Sequence, residues 1–235
     1  MEYFYTPQKQ ISSTHCLIEG MEFAHLTHVM RRKVGDAIRV LDGVGTAYDV
    51  VIEEISRRTA RCRITATHTR LNEPSRRLIL GAAILKSSAN FDFLVEKTTE
   101  LGVAVIVPLL TERTIPRHAR IERWQKISLA ATKQCGRCAI PEIRSPMSLQ
   151  EFLRSAPEGA ARFIPHERAE GMRLSTVIAT LGREVALCIG PEGGFADEEV
   201  AHAASAGFVP VKLGPRRLRA ETAAIFSTGL MLLEA

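Results

Sequence analysis

The stretch Ile189-Gly190-Pro191-Glu192-Gly193-Gly194-Phe195 decides the fold class of this chain of 235 residues. An apolar segment ends there, a Gly/Pro loop follows, and a helical pattern begins beyond it. A second stretch, Leu213-Gly214-Pro215-Arg216-Arg217-Leu218-Arg219-Ala220-Glu221-Thr222, repeats this arrangement one strand later. In open α/β sheets, ligands bind beyond the carboxyl ends of the strands, so the two loops predict a pocket built from backbone.

Strands and helices alternate along the chain from Leu78 onward. Leu78–Leu85 and Val103–Leu109 are apolar runs without polar alternation, a pattern typical of strands buried on both faces. Repeated strand–helix units predict an α/β fold with a mainly parallel sheet and helices on both sides. We expect further strands at 162–164, 185–189 and 208–213. Helices are expected at 91–101, 121–134, 149–155 and 174–181. Another helix is expected after Asp197, which is its predicted N-cap, ending at Gly207, and a last helix runs from 221 to the C-terminus.

The N-terminal part of the chain has a different pattern. One helix is predicted over 22–31, and short strands are predicted at 37–41, 48–55 and 59–67, joined by tight turns such as Asp42-Gly43. Short strands of this kind suggest a small β-barrel. The polar stretch from His68 to Arg77 reads as a linker. We therefore expect two domains, 1–72 and 73–235.

Composition bounds the classes of function. The chain is 46% hydrophobic and 24% charged, which is typical of a globular protein with a sizeable core. It has no apolar run of about 20 residues and no signal-peptide pattern at its start, so we expect a cytoplasmic location and no membrane contact.

The net charge of +5 favours a polyanionic partner. Each basic cluster alone is typical of a solvated surface, but several lie close together in sequence: Arg31-Arg32-Lys33, Arg57-Arg58, Arg61, Arg63 and Arg76-Arg77.

Several catalytic signatures are missing from the sequence. The chain has no G-x-G-x-x-G, G-x-x-x-x-G-K-[ST], G-x-S-x-G or H-E-x-x-H motif, which disfavours Rossmann enzymes, P-loop NTPases, serine hydrolases and zincins. Cys135 and Cys138 have C-x-x-C spacing, but no second ligand pair has suitable spacing for zinc. His25 and His28 are likewise more typical of a surface or an RNA-facing helix than of a metal site. We expect no metal.

The two Gly/Pro loops carry the candidate chemistry. Three glycines and a proline in the first loop favour a ligand loop over a plain turn, because they let a ligand approach the backbone closely. The arginines of the second loop adjoin Glu221 at the start of a helix, where an anion or a polarised carbonyl is stabilised. Arg219 and Glu221 are therefore the candidates for catalysis, with simple helix capping by Glu221-Thr222 as the alternative. Lys86 follows a buried strand directly and is a candidate phosphate contact.

In this order, the motifs resemble those of the RsmE family of small-subunit ribosomal RNA methyltransferases, within the SPOUT superfamily. The resemblance covers nearly the whole chain, and the two Gly/Pro loops are its most specific part. The motifs that carry it are His25-Leu26, Val29-Met30-Arg31, Lys33, Gly35-Asp36, Lys86, Glu96-Lys97, Glu100-Leu101-Gly102-Val103, Gln134-Cys135-Gly136-Arg137, Ile140-Pro141-Glu142-Ile143, 189–194 and 213–222.

The resemblance implies an N-terminal PUA-like β-barrel that helps to hold RNA and a C-terminal α/β domain with a deep trefoil knot. It implies S-adenosylmethionine as cofactor, bound in a bent form by the knot loops, and an active site at a homodimer interface. A terminal helix as apolar as the one predicted here is normally covered, either by a second copy or in a deep intramolecular socket, and the first of these agrees with a dimer. The implied reaction is methyl transfer to N3 of one uridine in the decoding region of 16S rRNA, in free rRNA or in the assembled small subunit.

Site residues follow from the same resemblance, position by position. The cofactor pocket is expected to be lined by Ile189, Gly190, Gly193, Leu213, Gly214, Leu218 and Arg219. The RNA-facing residues are expected to be Arg31, Lys33, Lys86 and Arg137. Family members commonly have an arginine within their first few residues, whereas this chain begins Met1-Glu2-Tyr3-Phe4.

Three other functions stay open at this point. The chain is alternatively an RNA-binding protein without activity, which would not bind S-adenosylmethionine. It is alternatively a SPOUT methyltransferase for another RNA position. The last alternative is an α/β enzyme that acts on a small phosphorylated metabolite. Such an enzyme would not need the basic N-terminal segment.

Overall fold

The computed structural model describes residues 2–167, 169, 172–178 and 181–232. Its contacts form two compact units, which are Met1–Glu73 with Leu129–Ile140, and Pro74–Ser128 with Pro141–Ala235. The sequence did not anticipate that residues 129–140 belong with the first unit. The boundary between domains 1–72 and 73–235 stays a prediction.

A five-stranded sheet forms the first unit. The strands are β1 (Tyr3–Tyr5), β2 (His15–Glu19), β3 (Ala37–Leu41), β4 (Thr46–Ile55) and β5 (Thr59–Thr69). Their order is β1-β3-β4-β5-β2, with β1 parallel to β3 and all other pairs antiparallel. The sheet curls around buried side chains that include Phe4, Ile18, Ile38 and Val50. The predicted small β-barrel is confirmed, although β1 and β2 were not predicted.

The predicted helix at 22–31 differs from the observed one. Helix α1 (Gly20–Ala24) continues into a π-helical turn over His25–Val29, and a short 3₁₀ turn lies at Gln8–Gln10. The helical segment ends before Arg31, which has a φ of 52°. This left-handed backbone conformation cannot continue a right-handed helix.

A parallel sheet forms the second unit and confirms the predicted α/β class. Its strands are β6 (Arg77–Ala83), β7 (Val105–Leu110), β8 (Glu142–Ile143), β9 (Met147–Ser148), β10 (Ala161–Pro165), β11 (Glu184–Ile189) and β12 (Val209–Val211). The order is β12-β10-β11-β6-β7-β8, with β9 also pairing with β7, and every pair is parallel. The trefoil knot stays a prediction.

Helices cover both faces of this sheet. They are α2 (Ser88–Glu100), the first part of α3 (Ile121–Cys135), α4 (Leu149–Ser155), α5 (Leu174–Val177), α6 (Asp197–Ser205) and α7 (Ala220–Leu232). Alternate residues of β6 face two separate cores: Leu78 and Leu80 pack with α2 and α7, whereas Ile79 packs with α4 and α6. Burial on both faces explains why this strand reads as a continuous apolar run.

Two details of the predicted helices need correction. Asp197 is the first residue of α6 and not its N-cap; Ala196 precedes the helix, and its N–H donates to Glu199 Oε2 at 2.9 Å. The helix predicted at 174–181 is shorter, and residues 179 and 180 lie outside the described part of the chain. Within that part, no helix is long and apolar enough to span a bilayer.

Candidate functional site

The predicted pocket is present at the carboxyl ends of β11 and β12. Its volume is about 730 Å³, within the range of about 300–1,000 Å³ that is common for small-molecule sites. Both Gly/Pro loops line it, together with residues from the start of α2 and from the segment after β7. All residues predicted for the cofactor pocket and for catalysis are brought together there: Ile189, Gly190, Gly193, Leu213, Gly214, Leu218, Arg219 and Glu221.

The first loop turns tightly after β11. The Gly194 N–H donates to the Pro191 carbonyl at 2.9 Å, and Gly194 has a φ of +68° that favours glycine. A Cβ atom at Gly190 would lie 3.1 Å from the buried ring of Phe195. Glycine is therefore favoured at both positions, at Gly194 by its φ angle and at Gly190 by the close ring of Phe195, and backbone forms much of this wall of the pocket.

Hydrogen bonds to two distant segments of the second unit brace this loop. Glu192 Oε1 accepts a hydrogen bond from the backbone N–H of Lys86 at 2.9 Å. Arg113 Nη1 donates to the Gly193 carbonyl at 2.8 Å and to the Phe195 carbonyl at 3.3 Å. Arg113 lines the pocket but was not predicted, because its partners lie some 80 positions away along the chain.

The second loop joins β12 to α7. Gly214 has a φ of +140°, and Leu213 and Leu218 are half-buried. Arg219 is exposed at the pocket and precedes α7, where its carbonyl accepts from the Ala223 N–H at 2.8 Å. Its backbone thus begins the helix, while the residue also lines the pocket. The neighbouring Arg217 lies 3.7 Å from Glu167.

Glu221 differs from its arginine neighbours because it is buried, with only 8% of its surface exposed. Its Oε1 accepts a hydrogen bond from the Asn90 side-chain Nδ2 at 3.1 Å. Asn90 lies in the first turn of α2, where its backbone N–H donates to the N-cap hydroxyl of Ser87 at 3.3 Å. The carboxylate is therefore held by a side chain of another helix. Asn90 was not predicted.

Three of the four residues predicted to face RNA are exposed: Arg31, Lys33 and Lys86. Arg137 is different, because it is only 3% exposed and its guanidinium lies 2.8 Å from the Glu73 carboxylate. A guanidinium that is buried and paired in this way is not available to a phosphate. This corrects the expectation for Arg137, which holds the first unit together instead.

The structure also bears on the cysteine and metal alternatives. Cys135 and Cys138 are not joined by a disulfide bond, and burial raises the pKa of the Cys138 thiol to about 11. A thiol that stays protonated at neutral pH is a poor redox centre. Among the described residues, no group of three or more His, Cys, Asp or Glu side chains is placed to hold a metal ion. The absence of a metal in the active protein stays a prediction.

Two family models match this chain. An RNA methyltransferase domain matches residues 72–232, and an RNA methyltransferase PUA domain matches residues 18–65. Ribosomal RNA small subunit methyltransferase E of Synechocystis sp. is 33% identical over 223 residues, which cover 92% of this chain and 72% of that protein. The chain belongs to the ribosomal RNA small subunit methyltransferase E family. The predicted family and the PUA-like nature of the first unit are thereby confirmed.

Solved structures agree with this membership of the methyltransferase E family. The family member from Neisseria gonorrhoeae, bound to S-adenosyl methionine, has a TM-score of 0.89 and 30% identity over 98% of this chain and 96% of its own. A putative methyltransferase from Legionella pneumophila, in complex with the same cofactor, has a TM-score of 0.84 and 31% identity over 97% and 96%. The prediction of an enzyme is confirmed, and so is S-adenosylmethionine as the cofactor at the level of the family.

Proposed function

We propose that this enzyme methylates N3 of a specific uridine in the decoding region of 16S rRNA, with S-adenosylmethionine as the methyl donor. One observation carries the proposal: a buried carboxylate, that of Glu221, lies in the wall of the pocket beside an exposed arginine. N3 of uracil carries a proton at neutral pH and becomes a nucleophile only when that proton leaves. The pocket thus offers a base and a cation to a substrate that needs both.

The residues of the two loops fit the cofactor. Half-buried Leu213 and Leu218 and buried Ile189 offer apolar contacts to an adenine ring, and Gly190, Gly193 and Gly214 allow the backbone to approach it closely. When bound, S-adenosylmethionine supplies an electrophilic methyl group on a sulfonium. The protein contributes position and electrostatics to the transfer.

The proton transfer is assigned to Glu221. Its carboxylate accepts the N3 proton, the N3 electron pair forms the new bond to the methyl carbon, and the carbon–sulfur bond breaks with its electrons on sulfur. Arg219 stabilises the negative charge that develops on the uracil carbonyl oxygens. We expect Glu221→Gln to lower the single-turnover rate by about 100-fold or more, because general-base catalysis contributes about 10²–10⁴-fold. A full single-turnover rate in this variant would remove Glu221 from that role.

RNA binding is assigned to the PUA domain and to exposed cations. Arg31, Lys33 and Lys86 are exposed side chains suited to phosphate contacts. N3 lies on the pairing edge of uracil, so the target base must be unpaired or flipped before it enters the pocket. The substrate is small-subunit rRNA, free or assembled into the subunit.

We further propose a cytoplasmic homodimer that needs no metal. Helix α7 is apolar on most faces, yet Phe226 remains 43% exposed. An exposed phenylalanine on such a helix is suited to burial against a second copy. Phe226→Asp should therefore shift the sedimentation coefficient from dimer to monomer, while the exposed Met21→Asp in the first unit should not. A wild-type protein that sediments as a monomer would contradict the dimer.

One experiment tests the reaction itself. Nucleoside mass spectrometry of small-subunit rRNA from cells with and without the gene should show N3-methyluridine only in the former. Purified protein and S-adenosylmethionine should then restore the modification, and fragment mapping should locate it. Loss of a different modified nucleoside in the deletion strain would instead support a methyltransferase for another RNA position.

A further inference from the structure

The hydrogen bond between Asn90 and Glu221 leaves an unused donor and an unused acceptor side by side in the pocket. The Asn90 amide has two N–H groups, and one donates to Glu221 Oε1. Glu221 Oε2 accepts from none of the described residues, and the second Asn90 N–H has no acceptor among them. Both residues line the pocket, so both groups are placed to meet a ligand.

We propose that Asn90 and Glu221 together select the methylated base by its hydrogen-bonding edge. The free carboxylate oxygen accepts from a ring N–H, and the free amide N–H donates to the carbonyl oxygen beside it. Uracil carries this pattern at N3–H and its neighbouring C=O. The inference rests on the proposed function and extends it, because it makes Asn90 a residue that determines specificity.

Cytosine presents the reverse pattern to this pair. Its N3 is an acceptor and would face the carboxylate, while its exocyclic amino group would face the amide N–H. Leaving polar groups unpaired, or opposed to like groups, in a half-buried site costs far more than losing an apolar contact. The pair therefore excludes cytosine in addition to binding uracil.

The position of Asn90 is fixed independently of any ligand. The Ser87 hydroxyl holds the first turn of α2, and Phe91 is buried in the core that α2 shares with α7. Only 8% of Glu221 is exposed. A donor and an acceptor that are held before the base arrives lose little entropy when it binds, which favours discrimination.

The test compares two versions of small-subunit rRNA, one with uridine and one with cytidine at the mapped position. The rRNA is used either free or assembled into the subunit, whichever form the wild-type enzyme methylates. Affinity is measured by competition in the presence of S-adenosylhomocysteine, and kcat/KM is measured with S-adenosylmethionine. We expect the wild type to favour uridine by about 10-fold or more in affinity, the discrimination typical of a paired donor and acceptor. Ser88→Ala, an exposed position of the same helical turn, serves as the matched control and should keep this ratio.

Two variants of Asn90 separate hydrogen bonding from packing. Asn90→Ala should lower the uridine-to-cytidine ratio from the wild-type value to the smaller part that Glu221 alone supplies. Asn90→Asp has nearly the same shape but replaces the donor with an acceptor, so it should bind the uridine RNA more weakly than Asn90→Ala does. A purely structural role predicts the opposite order.

The inference is overturned if both variants keep the wild-type ratio, or if they lose affinity for uridine and cytidine RNA equally. If the proposed function is wrong, the wild-type protein forms no N3-methyluridine. If only the inference is wrong, N3-methyluridine still forms, but the uridine-to-cytidine ratio does not depend on Asn90.

Discussion

Glu192 accepts a hydrogen bond from the backbone N–H of Lys86 at 2.9 Å, and this contact joins the loop after β11 to the segment after β6. The two strands are neighbours in the parallel sheet, with Ile189 opposite Ala82. The carboxylate thus links two adjacent strand ends at the point where the first Gly/Pro loop begins. Glu192 acts on the pocket through the shape of the loop.

Replacing Glu192 by alanine should weaken cofactor binding. The variant loses one charge-assisted hydrogen bond to an exposed backbone group, worth about 1 kcal/mol. Because the loop must then be ordered by the ligand, we expect the Kd for S-adenosylmethionine to rise about fivefold by calorimetry. Glu198→Ala, an exposed carboxylate of α6 that does not line the pocket, is the control and should bind as the wild type does.

Arg113 supports the same loop from the opposite side. Its two carbonyl acceptors, Gly193 and Phe195, lose their partner in Arg113→Leu. We expect a cofactor Kd about 10-fold higher, since hydrogen bonds from a charged donor contribute about 1.5–3 kcal/mol before screening. Arg117→Leu, an exposed arginine of the same segment outside the pocket lining, should leave the Kd unchanged. Equal losses in the two variants would indicate a general charge effect instead of a brace.

Local patterns in the sequence predicted the sheet and the pocket but not every residue that lines the pocket. The apolar run from Leu78 and the Gly/Pro loops predicted the parallel sheet and the pocket. Burial on both faces requires a continuous apolar run, and tight turns require glycine and proline, so both can be recognised in the sequence. No local pattern of this kind pointed to Asn90 or Arg113. Each acts through a partner more than 75 positions away, and only the fold brings these pairs together.

Arg137 illustrates the opposite error. A basic residue in a motif shared with RNA-modifying enzymes suggested an RNA contact, but the charge alone does not reveal burial. Its partner, Glu73, lies 64 positions earlier and also accepts from the backbone N–H groups of Cys138 and Ala139 at 3.1 and 2.9 Å. That network can be recognised only when the two segments are seen in contact.

A carboxylate on the barrel makes the stability of the first unit depend on pH. Asp49 accepts from Arg39 Nε at 2.6 Å and lies 2.8 Å from His68 Nε2, and the bond to Arg39 is the main reason that the pKa of Asp49 is lowered. A carboxylate with a lowered folded pKa stabilises the fold above its unfolded pKa of about 3.9, and this contribution is lost as pH falls through the folded pKa.

Asp49→Asn should therefore destabilise the protein at neutral pH more than in acid. We expect a loss of about 1 kcal/mol at pH 7, discounted for partial exposure, which shrinks as the pH falls below about 4. Urea unfolding at both pH values measures it. Glu54→Gln, which removes an exposed carboxylate of the same strand, should show no such difference. A loss that is constant with pH would show that the ion pair is not its cause.

Arg137 and Lys33 should respond in opposite ways to removal of their charge. Arg137→Met leaves the Glu73 carboxylate buried without its cation, so we expect the free energy of unfolding to fall by about 3–5 kcal/mol. Lys33→Ala removes an exposed cation and should change the free energy of unfolding by less than about 0.5 kcal/mol.

In RNA binding, Lys33→Ala should have the larger effect of the two variants. Lys33→Ala should weaken binding to rRNA and reduce the slope of log K against log salt by about one, as expected for one lost phosphate contact. At temperatures where it remains folded, Arg137→Met should keep the wild-type slope; a reduced slope would show that Arg137 contacts phosphate after all.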